Sequence, residues 1–248
     1  MKFSVVIIAY NEAHRLEKLL SSIQGADEVI LIDSMSTDAT EAVAKKWGAK
    51  VMQKAFVGFG QQKQFGVEQA SNDWILSLDA DEVPESEFWS QLQKLNPESD
   101  TNVYAIRRQL VFMGKVFRFG KESRDEQVRF FHRQHAHWST PEVHEKIIFN
   151  GPKKQLTGKV AHYSFESLAN YIGKFNRYTS LAADELIKKK KSRSPFLNGL
   201  LIPFNFFKFY VIQGNWLNGY PGFCWSLLSS VYPFVKHAKA HEVLHSSN

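Results

Sequence analysis

The stretch WILSLDADE, Trp74–Glu82, reads as a short β-strand that ends in acid. Ile75, Leu76 and Leu78 are apolar without strict alternation, the pattern of a strand covered on both faces. Asp79, Asp81 and Glu82 follow at its carboxyl end. In an open α/β sheet, ligands bind beyond the carboxyl ends of the strands. Two carboxylates there, one residue apart, can share a hard divalent cation, and such a cation keeps company with substrate phosphates. Taken alone, D-x-D reads better as a polar strand-to-loop turn. Its neighbours decide the matter.

Two further buried strands come before it, FSVVIIA (Phe3–Ala9) and EVILID (Glu28–Asp33). Leu16, Leu19, Leu20 and Ile23 recur at helical spacing after the first, with Asn11 as the expected cap. After the second, Thr37 or Asp38 caps a predicted helix through Val43 and Trp47 that Gly48 ends. Lys50–Gln53 makes a third short strand, and a helix is predicted over 61–70. Such alternation implies a mostly parallel sheet with right-handed crossovers. The polar ends Tyr10-Asn11-Glu12, Asp33-Ser34 and Asp79-Ala80-Asp81 therefore converge on one edge, a site of nucleotide size. Gly58-Phe59-Gly60 lacks the preceding strand and third glycine of a dinucleotide fingerprint and reads as a flexible turn.

SVVIIAYNEAHRLEKLLSSI, EVILIDSMSTDAT and ILSLDADE, in this order, resemble the opening of the family 2 glycosyltransferases. GFGQQKQFGVEQA between them is similar to the subgroup that adds glucose to the inner core of bacterial lipopolysaccharide or lipooligosaccharide. The resemblance covers nearly the whole chain, more weakly after about residue 150. It implies an α/β, GT-A nucleotide-sugar-binding domain with a mixed sheet over 1–165, its donor half 1–100 and its acceptor half 101–165. By the same resemblance, Ala9, Tyr10, Glu12, Asp33 and Ala80 line the nucleotide pocket, and Lys63 lies beside the nucleotide. Asp79 sits near ribose and metal, and Asp81 ligates Mg2+ or Mn2+ on the donor diphosphate. Many relatives carry Asp or Gly where this chain has Ser34 and Met35.

From Val103 the pattern becomes strands separated by polar turns: VYAIRRQLVFMG, QVRFFHRQ, EVHEKIIF and KVAHYSF. Displacing a nucleoside diphosphate with inversion needs a base that takes the proton of the attacking hydroxyl. The subgroup places that carboxylate in its V-H-E segment, which here selects Glu145. The alternatives are a strand-face Glu145 in an ion pair, or Glu142 as the base. His144 and His162 are metal-ligand candidates, since imidazole suits Mn2+ better than Mg2+, or else packed histidines. His132, His135 and His137 read as strand or loop residues, because no cysteines accompany them as in zinc sites. Arg129 and Arg133 flank FFH and suit the phosphate of an anionic acceptor, as does the pair Arg107-Arg108; the alternative for each is strand-face charge.

Composition bounds the rest. Residues 1–100 hold 9 Lys and Arg against 16 Asp and Glu, residues 101–248 hold 22 against 9, so the basic second half expects an anionic partner. A single cysteine, Cys224, fits a reducing compartment, and the start has too short an apolar run for a secretory signal. A helix is predicted over 166–191 with Leu168, Ile172, Phe175, Thr179, Ala182 and Leu186 along its apolar stripe. It runs into the basic KKKKSR, Lys188–Arg193. Residues 196–235 then carry 12 aromatics and one charge, Lys208. No uninterrupted apolar run reaches the ~18 residues of a spanning candidate. A basic cluster beside a broken aromatic region predicts an interfacial segment, residues 166–248, on anionic lipid. Nucleic acid is not an expected partner, because no motif for it is present.

These readings predict an inverting transferase moving a hexose, foremost glucose from UDP-glucose, to a sugar of a lipooligosaccharide core. It would work as a peripheral protein at the inner face of the cytoplasmic membrane, on a lipid-linked glycan. The alternatives are a family 2 enzyme with another acceptor (polyprenyl-linked sugar, capsule or protein), or a non-catalytic nucleotide-sugar-binding protein.

Overall fold

Six apolar residues of seven, interrupted only by Ser4, commit the first segment to strand β1 (Phe3–Ala9). The computed structural model describes residues 1–97, 100–139, 145–189 and 194–245. After β1 come α1 (Ala13–Ser22), β2 (Glu28–Asp33), α2 (Thr40–Lys46), β3 (Lys50–Gln53), α3 (Phe59–Glu68) and β4 (Trp74–Asp79). Then follow β5 (Glu82–Pro84), α4 (Ser86–Lys94), β6 (Val103–Phe112), β7 (Lys115–Val116), β8 (Asp125–His132), β9 (Ala136–Trp138), β10 (Ile147–Phe149) and β11 (Lys153–His162). The helical remainder is α5 (Leu168–Lys188), α6 (Pro195–Leu200), α7 (Ile202–Phe207) and α8 (Tyr220–His245).

The sheet runs β3-β2-β1-β4-β8-β6-β11-β5, with β7 paired to β6. Its first four strands are parallel, and β8 turns antiparallel against both β4 and β6. Strand order reverses at β1, which has β2 on one side and β4 on the other. Ala9 pairs with Asp33, and Ile8 with Asp79. The three polar strand ends are therefore neighbours at the crevice where such sheets bind ligands. The mixed α/β sheet and the helical C-terminal region are as the sequence predicts.

The chain's contacts divide it into two compact units, Met1–Gln109 with Asp125–His162, and Leu110–Arg124 with the residues from Tyr163 onward. In the first unit, Val5 and Ile7 on β1 face Leu16, Leu19, Phe88 and Leu92 on α1 and α4, while Val6 faces Val67, Trp138 and Ile147. Each fully buried side chain of this kind contributes roughly 1.5–3 kcal/mol. Gly66 lets α3 lie close on the sheet, because a Cβ there would stand 2.4 Å from Val6 Cγ1.

Local geometry departs from expectation at three places, the first being α2, whose cap position falls to Ala39 rather than to Thr37 or Asp38. Asn11 does not cap α1; it has φ +55, and its Oδ1 accepts from the Thr37 amide at 2.8 Å. Asparagine tolerates that left-handed conformation, so it ties the loop after β1 to the loop after β2. Gly58-Phe59-Gly60 is not a turn throughout: only Gly58, at φ +133, lies outside α3.

The second unit centres on Phe112, Phe117, Phe165, Tyr171 and Trp225, with Phe112 5.2 Å from Tyr171 and 5.3 Å from Trp225 between ring centroids. The loop after β7 is held by Asn218, whose Oδ1 accepts from the Arg118 amide at 3.2 Å and whose Nδ2 donates to Phe119 O at 3.0 Å. Ser167 caps α5 by accepting from the Asn170 amide at 3.1 Å. The buried stripe of α5 is Tyr171, Thr179 and Ala183, whereas Leu168 and Ile172 are exposed. That corrects the predicted stripe; Tyr171 competes better for the aromatic centre because it buries more area.

The aromatic tail also differs from the sequence reading. Pro195–Ile212 forms a helical run of 18 residues that is long and apolar enough to cross a membrane by length and composition, and it is almost wholly unburied. The interruptions at Asn198, Pro203, Asn205 and Lys208 are tolerated because consecutive short helices absorb them. The 26-residue α8 follows, with Pro233 inside it.

Candidate active site

The carboxyl ends of β1, β2 and β4 carry the candidate nucleotide residues. Asp33 is fully buried and accepts from the Ser36 amide at 3.2 Å and from the Ser36 hydroxyl. This turn passes through Met35 at φ +66, an orientation that a non-glycine side chain rarely adopts. Ala9 and Ala80 are buried as small floor residues, while Tyr10 is 58% exposed above them. Glu12 pairs with Arg15 at 3.1 Å. Burial pushes its carboxyl pKa up despite that pairing, and the charge of Asp81 adds to the rise.

Beyond β4 lies a buried ionic network. Lys63 on α3 is 1% exposed, yet its ammonium stands 2.8 Å from Asp79 Oδ1 and 3.0 Å from Glu145 Oε1. Arg129 on β8 is equally enclosed, donating to Asp79 Oδ2 at 2.7 Å and to Glu82 Oε1 at 2.9 Å. Arg108 on β6 adds a contact to Glu82 Oε1 at 2.7 Å and reaches Asp125 at 2.8 Å. Both Lys63 and Arg129 also lie over the Trp138 ring, 4.6 Å and 5.4 Å from its centroid. Burial opposes the charge on Asp79, but Arg129 and then Lys63 outweigh it and hold the carboxyl far below the usual range. Burial likewise works against Arg129, and Asp79 and Glu82 together raise its pKa. Each charge is thus matched, which is what makes burial of so many tolerable.

A cleft of about 420 Å³ opens beside this network, with Asp79, Arg129, Trp138 and Glu145 in its walls. Its volume falls in the range of small-ligand sites. Gly60 shapes it from below: a Cβ there would stand 2.0 Å from Ser139 O and 3.2 Å from Glu145 Cβ. The bare glycine lets Ser139 and Glu145 settle on α3.

Asp81 is treated differently from Asp79. Its Oδ2 lies 3.4 Å from His162 Nε2 at the end of β11. Burial would raise the Asp81 carboxyl, and the hydrogen bond and charge of His162 outweigh it, so its pKa is lowered. A carboxylate and an imidazole side by side are ligands that suit Mn2+. This donor pair fits a divalent ion, whereas both oxygens of Asp79 face protein cations. Among the described residues, no third acid, histidine or cysteine joins them in one group.

The structure therefore brings together Lys63, Asp79, Arg129 and Glu145, and separately Asp81 with His162. Arg133 is not among them: it pairs with Asp73 at 3.1 Å and donates to Ala70 O at 2.6 Å, at the opposite end of β4. His144 and Glu142 lie outside the described residues. His132 packs edge-on to Trp74 at 5.3 Å. Two participants were given no role from sequence. Glu82 turns inward, and its Oε2 accepts from the Asp79 amide at 3.1 Å. Trp138 carries the two cations on its face. The run D-A-D-E offered a signal for Glu82, since a third acid so near two others must find its own cations. Nothing near Trp138 in sequence marks its role.

Comparison with known proteins identifies the family. The family Glycosyl transferase family 2 matches residues 4–155. An uncharacterised glycosyltransferase of Rickettsia felis is 32% identical over 258 residues, covering 98% of this chain and 90% of that protein. The lipopolysaccharide core biosynthesis glycosyltransferase LpsC of Rhizobium meliloti is 28% identical, covering 98% and 93%. A crystal structure of glucosyl-3-phosphoglycerate synthase from Mycobacterium tuberculosis, in complex with Mn2+, UDP and glucosyl-3-phosphoglycerate, is 27% identical over 44% of each chain, with a TM-score of 0.38. The chain belongs to glycosyl transferase family 2 and is a nucleotide-sugar-dependent glycosyltransferase.

Proposed function

We propose that the enzyme moves a hexose, foremost glucose from UDP-glucose, with inversion onto a sugar of a lipopolysaccharide or lipooligosaccharide core. One observation carries the site assignment: the Lys63 ammonium touches both Asp79, at the strand end where nucleotides bind, and Glu145, 66 residues later. The resemblance to LpsC over nearly the whole chain supports the acceptor class.

In this reading Ala9, Tyr10, Glu12, Asp33 and Ala80 border the nucleotide, and Asp79 supports its ribose side. Asp81 and His162 would hold Mg2+ or Mn2+. When bound, that ion offsets the charge building on the departing diphosphate. Glu145 takes the proton of the acceptor hydroxyl as its oxygen bonds to the anomeric carbon. The bond from that carbon to the diphosphate oxygen breaks, and its electron pair leaves with UDP. Lys63 holds Glu145 and Asp79 in register. Arg129 serves the acceptor indirectly, by fixing Asp79 and Glu82 in the cleft wall.

The enzyme works from the inner face of the cytoplasmic membrane as a peripheral protein. The exposed Phe196, Leu200, Phe204 and Phe207 supply the apolar contact, and the excess of Lys and Arg in the second half of the chain meets anionic head groups. A screen of nucleotide-sugars with a lipooligosaccharide-core acceptor, read by mass shift, tests the reaction. A hexose increment from UDP-glucose supports it; transfer only to another acceptor, or none from any donor, refutes it. Flotation with phosphatidylglycerol vesicles tests the location, and protein left in the bottom fraction contradicts it.

A further inference from the structure

The second unit contains a cavity that the transfer reaction does not use. It measures about 350 Å³. Tyr171, Phe175 and Tyr178 of α5, Phe209, and Trp225 and Tyr232 of α8 supply most of its wall. Aromatic faces at this density hold an apolar ligand without directional bonds. Two polar groups interrupt them. Lys174 also lines the cavity, its ammonium donating to Ser164 O at 2.7 Å, and Ser229 lines it from α8. Within the Trp225 side chain, the indole N–H is buried without an acceptor among the described residues.

Two features say what occupies it. Phe209 belongs both to the cavity wall and to the exposed apolar run Pro195–Ile212. The apolar outer surface and the cavity therefore share a wall, so a ligand drawn from a bilayer need not cross a polar barrier of the unit. The charge is the second feature: residues 163–248 carry ten Lys and Arg against four Asp and Glu, and the sole charged lining residue is a lysine. We propose that this cavity takes one alkyl chain of an anionic membrane lipid, with Lys174 toward its acidic end. This assignment rests on the membrane-face reading given above, and it makes the second unit a lipid-binding module as well as a surface anchor.

The test is a titration of the full-length protein with cis-parinaric acid, a fatty acid that becomes fluorescent in apolar surroundings, without vesicles. Saturable binding at one equivalent is expected. Ser229→Phe, which fills the cavity, should weaken it at least about tenfold, and Lys174→Gln should weaken it severalfold while leaving a neutral alkanol able to displace the probe. Non-saturating uptake, or affinity unchanged in Lys174→Gln and in folded Ser229→Phe, overturns the proposal; if Ser229→Phe does not fold, Lys174→Gln decides. Flotation on phosphatidylglycerol against phosphatidylcholine vesicles separates the two ideas. Loss of flotation with parinarate binding intact removes the membrane reading and leaves the cavity, whereas flotation without saturable parinarate binding does the reverse.

Discussion

The two units differ in what they bury. The first encloses charge: Lys63, Arg129 and Glu82 are inside, each matched by an opposite partner within 3.0 Å. The second encloses aromatic rings and leaves a long apolar run outside. The first arrangement is fixed by directional contacts, so it can hold a carboxylate to within a fraction of an ångström. The second is fixed by shape and area, and its outer face is complete only against something apolar. Geometry for chemistry and surface for attachment are thus supplied by different physics.

The contrast is broken most severely by removing a buried cation. Arg129→Ala leaves Asp79 and Glu82 facing each other across the space it filled. A loss of about 3–5 kcal/mol is expected, measured as the denaturation midpoint in urea, with the second unit's near-ultraviolet aromatic signal a control for its own packing. In the second unit, Phe204→Ser with Phe207→Ser should do the opposite. Stability should change by no more than about 0.5 kcal/mol, as for exposed positions, while vesicle flotation falls sharply.

Acid should also separate the units. Asp79 and Asp81 have folded pKa values below the ordinary carboxylate range. Their pairing therefore stabilises fully above the unfolded value of about 3.9, and that stability is lost as pH falls below it, because the unfolded chain then binds protons first. Asp79→Asn should flatten the fall of melting temperature between roughly pH 4 and 2. A slope equal to wild type contradicts the assigned pairing. The smallest effect is expected at Met35, whose left-handed backbone suits glycine. Met35→Gly should relieve that strain, a gain of at most about 1 kcal/mol in thermal unfolding.

Much of the first unit was legible in its sequence. β1, β2, β3 and β4 span the residues predicted for them, and in β1, β2 and β4 the apolar runs mark them because a strand covered on both faces admits few polar residues. The convergence of Tyr10, Asp33 and Asp79 followed from the alternation of strands and helices alone. What sequence could not show was pairing. Lys63 could have met a phosphate or a carboxylate; only the folded chain sets it between Asp79 and Glu145. Glu82 read as one more acid at a strand end, yet it faces inward, since one residue of register decides which side a strand-end group takes. The helical run Pro195–Ile212 and α8 were obscured by prolines and asparagines that consecutive helices accommodate. Arg133 resembled Arg129 in sequence, but four residues along an extended strand and turn carried it to the other end of β4.

The central claim is that Glu145, held by the ammonium it shares with Asp79, is the base of the transfer. Its most direct test is single-turnover transfer by Glu145→Gln, with UDP affinity measured on the same preparation. Affinity within about twofold of wild type and transfer slower by roughly 10²–10⁴ are predicted. Wild-type transfer by Glu145→Gln would contradict the account.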